Sequence, residues 1–253
     1  MKTHLVIPDQ HAHPDYHNKR FEWLGKLIVD IKPDVVINLG DCADMPSLSS
    51  YDKGTKGFEG KRYKDDVQCV INAQERMFDP IKRAKKRRPK FIMLEGNHEY
   101  RIARAINSDA AILDGVISYS DLEYESFGWN TVRYRGATPG IAVVDGIAYA
   151  HYFTSGVMGR PVSGIHPANA LLVKQFMSCT QGHTHTTDYC VRTNAAGEMV
   201  HGLVAGVYQD WFAEFAGEAN DLWWKGVIIK REVQNGMYDP QWVSLDKLRR
   251  EYG

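Results

Sequence analysis

The sequence predicts an α/β (α+β) fold, two packed β-sheets flanked by helices, and three observations carry that prediction. The first hundred residues alternate short apolar runs with segments of helical spacing. The second half is a succession of strand-like runs, two of them joined by Asp145-Gly146, a strong hairpin signal. A chain of 253 residues, 43% of them hydrophobic, is long enough to bury the core of one such layered unit, so a single domain over 1–253 is expected. No repeat or low-complexity linker interrupts it.

Leu5 to Pro8 and Val35 to Leu39 are apolar runs ending in polar residues. Between them Phe21, Leu24, Leu27 and Ile28 recur at helical spacing within Lys19 to Ile31, which makes a β-α-β unit. Ser47 to Asp66 is polar and contains Gly and Lys, as a long surface loop does. An amphipathic helix follows through Val67, Ile71 and Met77 toward Ala84, with Pro80 as a point of kinking or splitting. Phe91 to Leu94 is a buried strand, and a helix runs from Glu99 to about Ile106. Strands are then expected at Val132 to Arg135, Ile141 to Val144, Ile147 to Tyr152, Phe176 to Thr180, Asp188 to Thr193, Met199 to Val204 and Gly226 to Glu232.

Lys plus Arg and Asp plus Glu both total 31, so no net field draws the chain toward nucleic acid or an anionic membrane. No stretch reaches the roughly 18 apolar residues of a membrane span, because Asp145 and Gly146 interrupt Ile141 to Ala150. The apolar run at the N-terminus is too short for a signal-peptide core. Cys42, Cys69, Cys179 and Cys190 show no C-x-x-C spacing and read as free thiols, so a soluble cytoplasmic protein is expected.

Five blocks carry chemistry: Asp9-Gln10-His11, Gly40-Asp41-Cys42-Ala43-Asp44, Gly96-Asn97-His98-Glu99, His151, and Gly182-His183-Thr184-His185. Each lies at or just beyond a predicted strand end, where α/β folds gather ligand-binding side chains on a rigid support. Residues two apart in extended backbone project to one side, so Asp9 and His11 can grip one ion together. A carboxylate at Asp41, next to the bare backbone of Gly40, can bridge two cations through its two oxygens. Asn97 offers a neutral amide oxygen. Imidazole and carboxylate together suit Mn, Fe or Zn better than Ca.

The ordered set D-x-H, G-D-x-x-D, G-N-H-E, H and G-H-x-H, spread over residues 9 to 185, resembles the calcineurin-like metallophosphoesterase superfamily. The resemblance implies a four-layer αββα metallophosphoesterase sandwich of two mixed sheets. It implies two divalent metal ions, manganese foremost, with iron, zinc, nickel or magnesium as alternatives. One ion would sit on Asp9, His11, Asp41 and His185, the other on Asp41, Asn97, His151 and His183. The implied reaction is hydrolysis of a phosphate ester, mono- or diester, by a hydroxide between the ions. His98 would act as general acid or transition-state stabiliser, oriented by Asp44.

Departures from the family pattern narrow the reading. Asp44 is followed by Met45-Pro46 where many protein phosphatases carry Arg-Gly, which disfavours that branch. His151 is followed by Tyr152 instead of the common Gly and is assigned by position. His4, His13, His17, His166 and His201 match no block and read as structural or solvated. Arg101, close behind the third block, is a candidate substrate contact. So are Arg160 and His166, which lie in a Gly-rich segment from Thr154 to Pro167 that is a candidate lid.

The substrate is expected to be a phosphorylated small molecule or a nucleic acid. The basic run Lys82 to Lys90 and the aromatics Trp211, Phe212, Phe215, Trp223 and Trp224 are the features that favour a Mn-dependent nuclease as the alternative. A non-catalytic metal-binding scaffold is the other alternative, and it predicts missing ligands; none is missing. No membrane partner is expected, and protein partners are not specified by these motifs.

Overall fold

The structure is a computed structural model that describes residues 1–85 and 87–253; Lys86, within the basic run, lies outside the described residues. In chain order the first part contains β1 (Lys2–Ile7), α1 (Lys19–Ile31), β2 (Val35–Asn38), α2 (Tyr63–Arg83), β3 (Lys90–Leu94), α3 (Arg101–Ser108), α4 (Ala110–Leu113), α5 (Tyr124–Phe127) and β4 (Asn130–Val132). There follow β5 (Ile141–Val144), β6 (Ile147–Ala150), β7 (Thr154–Ser155), β8 (Arg160–Pro161), α6 (Pro167–Gln175), β9 (Cys179–Gln181), β10 (Thr187–Thr193) and β11 (Met199–Ala205). The chain closes with β12 (Gly226–Gln234), β13 (Met237–Ser244) and α7 (Leu245–Tyr252).

Two large mixed sheets result. One has six strands in the order β13-β12-β1-β2-β3-β4, and the other has five in the order β10-β11-β9-β6-β5. In the first, β1 to β4 run parallel and β12 returns antiparallel to β1, pairing Lys230 with His4. In the second, β6, β9 and β11 are parallel neighbours.

Strand alternation explains the layering. Leu5 and Ile7 join a core with Phe21 and Leu24 of α1, Met77 and Phe78 of α2, and Leu248 of α7. Val6, between them, faces the other way and packs with Ile37, Ile92, Tyr149 and Leu203 from the two sheets. A strand buried on both faces reads as a continuous apolar run, as β1 to β3 do. The far face of the five-stranded sheet packs Ala148 and Cys179 against Leu171 and Leu172 of α6. Gly25 is where α1 crosses α2, since a Cβ there would fall 2.2 Å from the Met77 carbonyl oxygen. Between the sheets the fully buried Lys230 lies under the rings of Tyr149 and Tyr238 and donates to the Thr180 hydroxyl.

Several elements differ from expectation. α2 begins at Tyr63, inside the expected surface loop, where Asp65 and Asp66 favour a helix N-terminus, and it runs through Pro80 without splitting. β4 covers 130–132 instead of 132–135. Phe176 does not open a strand; it is the exposed left-handed cap of α6, and β9 starts at Cys179. The expected strand 147–152 ends at Ala150, leaving His151 just beyond it. α6, β13 and α7 were not foreseen. β13 carries Pro240, which only an edge strand tolerates, and β13 is an edge. It joins the sheet of the first half, so the two halves of the chain do not correspond to the two sheets. Among the described residues the four cysteines are unpaired, and no helix is long and apolar enough to cross a membrane.

Candidate metal centre

Asp9 and His11 follow β1, Asp41 follows β2, Asn97 and His98 follow β3, His151 follows β6, and His183 and His185 follow β9. All are carboxyl ends of strands with parallel neighbours, so stacking the two sheets brings the five blocks to one edge. Asp9, His11 and His185 form one group with ligand atoms mutually within 4.8 Å; Asp41, His151 and His183 form another. Asp41 also groups with His11 and His98, so it reaches both sides. Asn97 Oδ1 lies 2.8 Å from His151 Nε2, which is 3.3 Å from Asp41 Oδ2.

Ring nitrogens face each other in pairs, His11 Nε2 to His185 Nε2 at 3.1 Å and His183 Nδ1 to His151 Nε2 at 3.2 Å. Two such lone pairs repel unless a proton or a cation sits between them. His11 Nδ1 is buried with the Asp44 carboxylate Oδ2 at 3.4 Å and no well-formed hydrogen bond. His151 donates its Nδ1–H to the Leu39 carbonyl at 2.9 Å, which turns the lone pair of Nε2 into the site.

The charge states suit a cation. Burial raises Asp41, but His151 and His98 outweigh it and hold the carboxyl well below the usual range. Asp9 is lowered too, because His185 and His151 overcome its burial. Burial, then the neighbouring His151, pulls His183 down to about 4, and burial lowers His11, so both imidazoles are neutral donors. His151 is driven the other way, to about 9, as Asp41 overcomes burial: a proton there takes the place a cation would fill.

The backbone is shaped to the same end. His11, Asp41, His183 and His185 have φ of 45°, 50°, 68° and 61°, a region that costs side-chain-bearing residues on the order of 1–3 kcal/mol each. Two glycines leave room for the carboxylates, since a Cβ at Gly96 or at Gly182 would fall 2.1 Å from Asp41 Oδ1 or Asp9 Oδ1. Two buried side chains hold the loops at His11 and Asp41. Glu99 accepts from the main-chain N–H groups of Asp41, Ala43 and Gly96 (3.0, 2.8 and 3.0 Å) and from the Tyr124 hydroxyl. Arg20 donates to the carbonyls of Gln10, His11 and Tyr208 and pairs with Asp210 at 3.1 Å. Glu99 was legible as the fourth residue of G-N-H-E. Arg20 was legible only as a charge on the same helix face as Leu24 and Leu27.

Beside the clusters, His98 Nδ1 bonds the main-chain oxygen of Asp44 at 2.7 Å, with the carboxylate Oδ1 at 3.4 Å. The Asp44 carboxylate is shared, its Oδ2 lying 3.4 Å from His11 Nδ1. Burial lowers the His98 pKa, but Asp41 and then Asp44 carry it above its ordinary value against Arg101. Arg101 is held by the carbonyls of Asp44 and Met45 (3.0 and 3.2 Å) and reaches His98 Nε2 at 3.3 Å. It faces the site, not solvent.

Arg160 and His166 are exposed and make no polar contact with the centre among the described residues; the segment around them forms the β7–β8 ribbon and the start of α6. The basic run leads into the amino end of β3, the sheet edge opposite the centre. There a cavity of about 420 Å³ is lined by Lys32, Arg87 and Arg88 among others. Of the unmatched histidines, His4 and His201 are buried structural groups bonded to Tyr149 and Tyr189, and His17 is solvated.

No family model matches the chain. It is 27% identical over 192 residues to the Gene 54 protein of Mycobacterium phage L5, covering 73% of this chain and 70% of that one. A solved crystal structure aligns with 96% of this chain and 99% of its own at 11% identity, with a TM-score of 0.43.

Proposed function

We propose that the chain hydrolyses a phosphate ester with two divalent metal ions, manganese foremost, on the four-layer αββα scaffold of the calcineurin-like metallophosphoesterases. The observation that carries this reading is the meeting of seven ligating side chains from five separate segments, with Asp41 reaching both clusters. Asp9, His11, Asp41 and His185 would hold one ion, and Asp41, Asn97, His151 and His183 the other. Bound there, the ions supply Lewis acidity at the phosphoryl group and a more acidic water.

The residues of the chain do the rest. Only Asp9 and Asp41 among the seven are anionic, so the loaded site retains a positive surplus that favours phosphate and the added charge of its transition state. In the imidazolium form that Asp41 and Asp44 favour, His98 would keep its Nδ1–H on the Asp44 carbonyl and carry a second proton on Nε2, which it would deliver to the leaving oxygen once Arg101 turns from Nε2 to the phosphate. Arg101, beside the same Nε2, offers its guanidinium to a phosphate oxygen. The same reading takes residues 1–253 as one domain in a reducing, cytoplasmic compartment, which suits four unpaired cysteines.

The test is turnover of p-nitrophenyl phosphate and bis(p-nitrophenyl) phosphate with added Mn²⁺. His98→Ala is expected to bind Mn²⁺ unchanged by calorimetry while kcat falls by roughly 10²–10⁴. An unaltered kcat refutes the role of His98. No turnover of either ester with Mn, Fe, Zn, Ni or Mg sinks the enzyme reading in favour of a metal-binding scaffold.

A further inference from the structure

Aromatic rings border both halves of the centre. Against the His11–His185 half, Trp211 stacks flat on Tyr16, with centroids 4.5 Å apart and planes 3° apart. Its indole N–H donates to the His11 carbonyl at 3.3 Å, His13 packs beside both rings, and Trp223 stands edge-on to His185 at 4.3 Å. Against the His151–His183 half, Tyr152 lies 4.7 Å from the His183 ring. Tyr134, whose phenol is pushed upward by burial and then by Tyr152 beside it, stacks flat on Tyr100 at 4.3 Å and 11°.

These rings are not core. Tyr16 is 39% exposed, and Trp211, Trp223, Tyr100, Tyr134 and Tyr152 are half-buried, whereas Phe21 and Phe78 behind the sheet are wholly enclosed. Cations stand on the His11 side: Lys61, paired with Asp15, lies 3.4 Å from His13 Nε2, and Arg101 flanks His98, whose ring centroid is 4.7 Å from that of His11. A phosphate seated between the clusters therefore has a π-surface at either hand and positive charge on the His11 side. A small alcohol ester would leave both surfaces unused.

We propose that the substrate is a phosphodiester joining two nucleosides, the backbone of a single-stranded nucleic acid, with one base stacking on each aromatic ridge. This rests on the phosphoesterase reading and names its substrate class. Every base has a π-face, so the ridges accept bases with little regard to sequence. Bases inside a duplex present no free face, so paired strands are refused. The chain has no net charge and its basic run lies at the far edge, so stacking, not long-range attraction, provides most of the selection.

The test is fluorescence anisotropy of a labelled twelve-nucleotide oligothymidylate and of a duplex of equal length, with the full chain carrying His98→Ala and loaded with Mn²⁺, so that the phosphate seat is intact and cleavage is slow. Single strand is expected to bind at least tenfold more tightly than duplex, and thymidine monophosphate, which reaches one ridge only, to compete weakly. Tyr16→Ala and Tyr152→Ala should each weaken oligonucleotide binding by about tenfold, and Tyr16→Phe and Tyr152→Phe should restore it. Equal affinity for single strand and duplex, or alanine variants that bind as the unmodified chain does, overturns the proposal. The unmodified chain with Mn²⁺ separates the two readings. Turnover of bis(p-nitrophenyl) phosphate without ridge-dependent oligonucleotide binding overturns this inference alone. Ridge-dependent binding without turnover of any ester upholds the ridges and overturns the esterase.

Discussion

Gly182→Ala tests whether the candidate centre depends on the position of one carboxylate. The φ of Gly182 is not in the left-handed region, so an alanine backbone is tolerated and only the added methyl matters. That methyl would fall 2.1 Å from Asp9 Oδ1, where ordinary contact begins at 3.4 Å, so the carboxylate must move by more than an ångström. Asp9 has no free space to move into. It is fully buried, accepts from the His183 N–H at 2.9 and 3.1 Å, and lies 3.3 Å from His185 Nε2. Overpacking of this kind costs about 1–3 kcal/mol, and losing the orientation of a ligand weakens metal affinity by roughly 10–100-fold. Urea denaturation without metal reads the first effect, and calorimetric titration with Mn²⁺ reads the second. Gly57→Ala, where the added methyl would meet only the Thr55 hydroxyl at 3.9 Å, an ordinary contact, serves as the neutral control. A Gly182→Ala variant that matches the unmodified chain in both urea midpoint and Mn²⁺ affinity refutes the reasoning.

Glu99→Gln should destabilise the chain by roughly 1–3 kcal/mol in urea, because the amide NH₂ would be set either against the N–H donors of Asp41 and Gly96 on one oxygen or against that of Ala43 on the other. A midpoint equal to that of the unmodified chain would show that these donors find other acceptors. His4 links stability to pH: it accepts from the Tyr149 hydroxyl, donates to Asp145, and is pulled by burial from 6.5 down to about 4. The unfolded chain thus binds the extra proton first, so the stability His4 contributes is complete above pH 6.5 and is lost as pH falls toward 4, by about 3 kcal/mol in all. His4→Gln should flatten that slope in melts between pH 4.5 and 7, and an unchanged slope would assign it to other groups.

The apolar runs of β1, β2 and β3, the helix over Lys19 to Ile31 and the Asp145-Gly146 hairpin were legible in the sequence. Period and turn chemistry are local properties, and burial on both faces leaves an unbroken apolar run. Local signals misjudged β13 and Phe176. An edge strand with a proline owes its place to its partner β12, and a single aromatic after α6 does not reveal that it caps a helix in the left-handed region. The seven candidate ligands were legible as types and spacings after strand ends. What only the tertiary structure decided was their meeting. Stacking two sheets carries the ends of β1, β2, β3, β6 and β9 to one edge, and Arg20 and Glu99 hold the strained loops there. It also turned Arg101 inward to His98, left Arg160 and His166 outside, and set an aromatic ridge against each half of the centre. Spacing along a chain determines which side chains can share a face, whereas distance between segments is set only when the sheets pack.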